Sequence, residues 1–181
     1  MAFVRFGIAP TPKESESLQF QFGFMPEHGV QFSLQGSIIY QLQVGKVGIL
    51  VAIFEVGFRL LVSNFFDKVV REYGFSIHDL TPNSVNKIVG FVLGCRALGV
   101  LPHLQAFQSF FNSSTYVSVH TFSQRRNTHS CIVNQKVTQK NWQDRWLWVN
   151  YDLVGAGYPR VHMASDRVPQ LSGSVYRWLV H

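Results

Sequence analysis

Between residues 58 and 112 the apolar positions recur at helical spacing, and beyond residue 114 they alternate. Leu61, Val62, Phe65, Phe66, Val69, Val70 and Tyr73 fall on one stripe, while Lys68, Arg71 and Glu72 fall on the opposite face. That is the i, i+3/i+4 pattern of an amphipathic helix. Gly74 supplies its left-handed end, and Phe75 can fold back on the last turn. Thr81 is a good N-cap, and Pro82 sits at the first helical position, where its missing N–H costs nothing. The stripe that follows is Val85, Ile88, Val89, Val92, Leu93 and Leu98, with Gly99 as the stop and Val100 as its hydrophobic contact. Gly90 and Gly94, four apart, would let another helix approach closely. Pro102 restarts a third helix with Leu104, Phe107, Phe110 and Phe111 facing inward. A short helix is also expected over Val47 to Phe54, although its β-branched content suits a strand as well.

The alternation begins at TYVSVHTFS, which predicts one strand: Tyr116, Ser118, His120 and Phe122 point one way, Val117, Val119 and Thr121 the other. QRRNTH reads as a turn, HSCIVNQKV as a returning strand, and NWQDRWLWVNYD as a third, with Trp146 and Trp148 sharing a face. Short connections force these elements into contact. The expected architecture is α+β: a compact core of three or four helices with a small antiparallel β-sheet packed against it. Residues 1–43 read as a lead-in, mobile up to Ser17 because Pro10 and Pro12 block regular pairing, with short strands or irregular packing after it. The domain itself is expected over 44–152, and 153–181 as an irregular tail with room for a short element at SVYRWLV.

Composition narrows the class. A chain of 181 residues suits one domain, and 46% apolar residues with sixteen phenylalanines are enough to fill its core. Charge is uneven: residues 1–112 carry eight Lys/Arg against seven Asp/Glu, residues 113–181 eight against three, so nearly all of the net +6 sits in the C-terminal third. Such a balance fits an anionic partner or a basic soluble face. Cys95 and Cys131 form no CxxC pair, which argues against a disulfide scaffold and fits an intracellular setting, nucleus or cytoplasm. The apolar run VGILVAIF is far short of the ~20 residues a membrane-spanning helix needs, and no membrane partner is expected.

Candidate chemistry is thin. Strand transfer needs converging carboxylates around two metal ions, and Glu55, Asp67, Glu72, Asp79, Asp144 and Asp152 show no such spacing. His120, His129 and Cys131, with His162 as a fourth, have the ligand types for zinc but not the spacing of a finger. There is no GxSxG elbow, no GxxxxGK[ST] loop and no GxGxxG after a strand. Neither a cofactor, a metal nor a catalytic residue is therefore assigned. Binding remains: Arg125, Arg126, Lys136, Lys140 and Arg145 cluster around the expected sheet, and Trp142, at a turn, is the aromatic best placed for exposure. Basic residues beside exposed aromatics hold phosphates and stack bases, which makes DNA or RNA the expected partner; self-association is a further expectation. Trp146 and Trp148 are read as anchors between sheet and helices.

From about Lys46 to Asp152 the order of features resembles the plant retroelement-derived domain family known as gypsy-type transposase. The matching stretches are GKVGI, FEVGFRLLVSNFFDKVVREYG, IHDLTPNSVNKIVGFVLGCRALGV, LQAFQSFF, VHTFSQRR and KNWQDRWLWV. Members often carry a proline where this chain has Leu61. The resemblance implies a retroelement context and brings no functional residues with it. Three functions are weighed: a non-enzymatic, gag-region-like structural or nucleic-acid-associated domain; a DNA-processing fragment; and a protein-interaction module with a Phe-rich groove between helices.

Overall fold

A computed structural model describes residues 6–39, 44–60, 64–116, 119–126, 128 and 142–153. Five α-helices and five strands occur among them. Helix α1 (Pro12–Phe22) and the short strand β1 (Gln31–Phe32) precede β2 (Lys46–Leu50) and α2 (Val51–Glu55). Helices α3 (Asn64–Tyr73), α4 (Pro82–Ala97) and α5 (Leu104–Phe110) follow, then β3 (Phe111–Tyr116), β4 (Val119–Gln124) and β5 (Trp146–Asn150). The fold class is α+β, with two small antiparallel sheets packed on the helices.

The first sheet has the order β1-β5-β2. Lys46 lies opposite Asn150 and Leu50 opposite Trp146, while Gln31 lies opposite Trp148. Trp146, Leu147, Trp148 and Val149 are all buried, so the middle strand is covered on both faces. The second sheet is a β3–β4 hairpin in register from Phe111↔Gln124 to Tyr116↔Val119. Between the two sheets the helices form one core, built largely from phenylalanine rings. Phe107 touches Phe65, Phe91, Phe111 and Phe122, and Phe54 links Phe22 and Phe24 to Phe58, which meets Phe66. Tilted and edge-to-face pairs of this kind add to the burial of apolar area itself.

Helix α4 starts and stops where its sequence says. Thr81 accepts from the Ser84 N–H, Pro82 follows, and Gly99 takes φ +68°. The Val100 N–H donates to the Cys95 carbonyl and the Gly99 N–H to Arg96, the paired bonds of a Schellman end. Helix α3 ends likewise at Gly74, with the Phe75 N–H on the Val70 carbonyl.

Several expectations need correction. Val47–Leu50 is strand, and only Val51–Glu55 is helical; pairing with β5, a hundred residues away, outweighs the local pattern. Pro12–Ser17 belongs to α1: Thr11 and Glu14 form a reciprocal capping box and Pro12 occupies the first turn, where proline is at home. Leu18 and Phe22, one turn apart, are buried, while Phe20 between them is 91 % exposed. TYVSVHTFS is not one strand but parts of two, β3 and β4, on either side of residues 117–118. Nor does β5 extend that hairpin; it completes the other sheet. The α4 stripe fails near its end, since Phe91 is buried while Leu93 and Leu98 are exposed. Phe111 opens β3 rather than closing the helix. Leu61 and Val62, the HSCIVNQKV strand and SVYRWLV lie outside the described residues.

Candidate nucleic-acid interface

The basic residues of the C-terminal third that the structure describes fall in two places. Arg125 and Arg126 follow β4, and Trp142 and Arg145 lead into β5. These strands belong to different sheets. Lys136 and Lys140 lie outside the described residues.

The β4 end is held from both sides. On one side α4 closes the strand's outer edge with side chains. Ser84, fully buried, donates through Oγ to the His120 carbonyl at 3.1 Å and accepts the Phe122 N–H at 3.0 Å. Lys87 Nζ donates to the Phe122 carbonyl at 2.7 Å, and the Thr81 N–H donates to the His120 carbonyl. Partial burial pushes the Lys87 ammonium below its usual range. On the other side, the Arg125 N–H donates to the Phe110 carbonyl at 2.8 Å and its Nε to the Gln108 carbonyl at 2.8 Å. A cation on the last carbonyls of α5 offsets the partial negative charge of a helix C-terminus. Thr128 donates through Oγ1 to the Arg125 carbonyl, and Gln124 Nε2 to the Thr128 carbonyl, so the turn is tied down beyond the strand. Arg126 sits exposed on that turn with no ion pair among the described residues.

The second group is more committed to the fold. Arg145 lies 3.7 Å from Glu14, and its carbonyl accepts the Val51 N–H at 2.9 Å. Glu14 is held below the ordinary carboxylate range chiefly by its bond from the Thr11 N–H. Trp142 is half-buried against the core rather than exposed. Trp146 and Trp148 are buried edge to face at 6.4 Å, in the anchoring role their alternation suggested.

The acidic residues are dispersed. Asp67 pairs with Arg71 at 3.0 Å, Glu55 and Glu72 are exposed at different elements, and Asp79 stands 3.9 Å from His78. Among the described residues no three His, Cys, Asp or Glu side chains are gathered as a cation site. His120 stacks on Phe75 with ring centroids 3.9 Å apart and shares a 3.0 Å contact with Thr115 Oγ1. Burial lowers its pKa. His129, Cys131 and His162 lie outside the described residues. The helix-facing phenylalanines are spent on one another. Sequence reasoning missed the roles of Ser84 and Lys87, because their partners are 35 to 38 residues away.

Among the described residues no helix is long and apolar enough to cross a membrane. No curated protein and no solved structure matches the chain. The resemblance read over Lys46 to Asp152 is matched by a family model over its first part, from Gly48 in β2 to Thr115 in β3, and the two basic groups lie past that span. Residues 48–115 thus match the family described as "Putative gypsy type transposon", and that is the relationship this chain shows.

Proposed function

We propose that the chain is a retroelement-derived, non-enzymatic structural domain of the gag-region kind that associates with DNA or RNA through the basic end of β4. The observation that carries the reading is the exposed Arg126 beside an Arg125 fixed to two α5 carbonyls. A fixed arginine presents its neighbour to a phosphate backbone without the entropic cost of ordering a loop. The net +6 of the whole chain supplies the attraction at longer range. Contacts of this type position a nucleic acid and carry no sequence preference.

A gel-shift titration against salt is the test. Binding should weaken linearly in log affinity against log salt, and Arg126→Ala should reduce that slope by about 0.9 on duplex DNA or about 0.7 on a single strand. Absence of binding at low salt would end the nucleic-acid reading. An unchanged slope in Arg126→Ala would remove the β4 end from it.

A further inference from the structure

We propose that the chain forms a twofold dimer by antiparallel pairing of β3 with β3 of a second copy. This goes beyond the nucleic-acid reading and does not depend on it.

The hairpin has two outer edges, and they differ. The bond from the Arg125 N–H to the Phe110 carbonyl sets the phase of the ladder. With the observed register, Asn112/Ser123, Ser114/Thr121 and Tyr116/Val119 are the pairs that exchange hydrogen bonds. His120 and Phe122 therefore point their backbone groups away from β3, and these are the groups that Thr81, Ser84 and Lys87 engage. The β4 edge is closed. By the same phase the N–H and C=O of Ser113 and Thr115 point away from β4, and no strand pairs with that side among the described residues. Residues 112–116 are exposed, Tyr116 by 75 %.

Edge strands usually carry a lysine, a proline or a bulge that discourages pairing. FNSSTY has none of these and no charge. What fits such an edge is another extended, uncharged strand. A second copy of β3 meets that requirement. Placed antiparallel about Ser113, it sets Ser113 opposite Ser113 and Phe111 opposite Thr115, with no like charges facing. The charge pattern favours this arrangement. Arg125 and Arg126 sit at the Phe111 end, so the twofold sends the two basic pairs to opposite ends of a four-stranded sheet. Six residues at about 3.3 Å each separate them by about 20 Å along the strands, twice the screening length of about 10 Å at moderate salt.

Sedimentation analysis of the full chain over a concentration series, with amide exchange at Ser113 and Thr115, tests the proposal. The expected result is a monomer–dimer equilibrium in which both amides gain protection as dimer forms. Ser113→Pro removes an outward N–H and no ladder bond to β4, so it should raise the dissociation constant at least tenfold. As a check that does not depend on that variant folding, Ser113→Lys and Ser113→Glu should each be monomeric alone and should dimerise when mixed. A monomer at every concentration overturns the proposal. So does a dimer that Ser113→Pro and the charged variants leave intact. Protection of both amides that does not vary with concentration would assign the edge to a segment of the same chain, and would equally overturn it.

Discussion

Ser84 shows how much one small side chain can carry. Its hydroxyl lies 2.8 Å from that of Thr81, donates to the His120 carbonyl and accepts from Phe122, and Ser84 itself is fully buried. Helix propensity alone predicts that Ser84→Ala stabilises α4 by roughly 0.5 kcal/mol. Leaving the Phe122 N–H buried without a partner costs about 1–3 kcal/mol, so the net change should be a loss of about 0.5–2.5 kcal/mol. Urea unfolding decides the sign; a gain would mean that the hairpin is not tied to α4 as described. None of this could be read from Pro82-Asn83-Ser84-Val85, where Ser84 looks like any first-turn residue. Its meaning comes from a strand 36 residues on, and single-chain periodicity carries no record of such a partner.

At the scale of elements, caps were readable and strand pairing was not. Thr81-Pro82 and Gly99 announced both ends of α4 because capping chemistry is local. Thr11-Pro12-Lys13-Glu14 announced α1 equally well, yet Pro10 and Pro12 together pointed to an irregular segment; the second of them in fact starts the helix. Residues 47–50 were ambiguous because both periods fit so short a run as Val-Gly-Ile-Leu, and only β5 resolves them. The end of α4 and the turn after it misled for another reason. Leu93, Leu98, Val100 and Leu101 are apolar yet exposed, at 53 to 84 %, which a pattern that equates apolar with buried cannot register. The glycines of this helix give a paired prediction. A methyl group added at Gly94 meets nothing within 4 Å on an ordinary helical backbone, whereas Gly99, equally open, holds φ +68°. Gly94→Ala should raise stability by about 0.5–1 kcal/mol, and Gly99→Ala should lower it by about 1 kcal/mol through left-handed strain. Thermal or urea denaturation of the two variants side by side checks both signs.

The whole molecule has a built-in acid limit. His78 lies in the turn Ile77–Asp79 against the core, and burial lowers its pKa from 6.5 to about 4. Asp79, 3.9 Å away, favours the protonated ring, but that distance is too long for a hydrogen bond, and desolvation prevails. His120, stacked beneath Phe75, is shifted in the same direction. In the unfolded chain His78 takes up its proton near pH 6.5; in the folded chain it resists until about pH 4. Between those values the unfolded state binds more protons, so stability is full above pH 6.5 and declines as pH falls toward 4. The loss from His78 alone should reach about 3 kcal/mol. Urea midpoints measured across that range should fall, and His78→Asn should flatten much of the decline. A flat profile in the unsubstituted chain would show that the ring is hydrated rather than enclosed.

The sheet order β1-β5-β2 has a consequence for how the molecule comes into being. The centre of that sheet is the last strand in the described sequence, while both flanks are made before residue 51. β1 and β2 each pair with β5 and not with one another, so neither has its sheet partner until Trp146–Asn150 has been made. Closure over so long a span is slow compared with forming helices. The helical middle can gather early, but the wall behind it is sealed only once Trp146–Asn150 has been made.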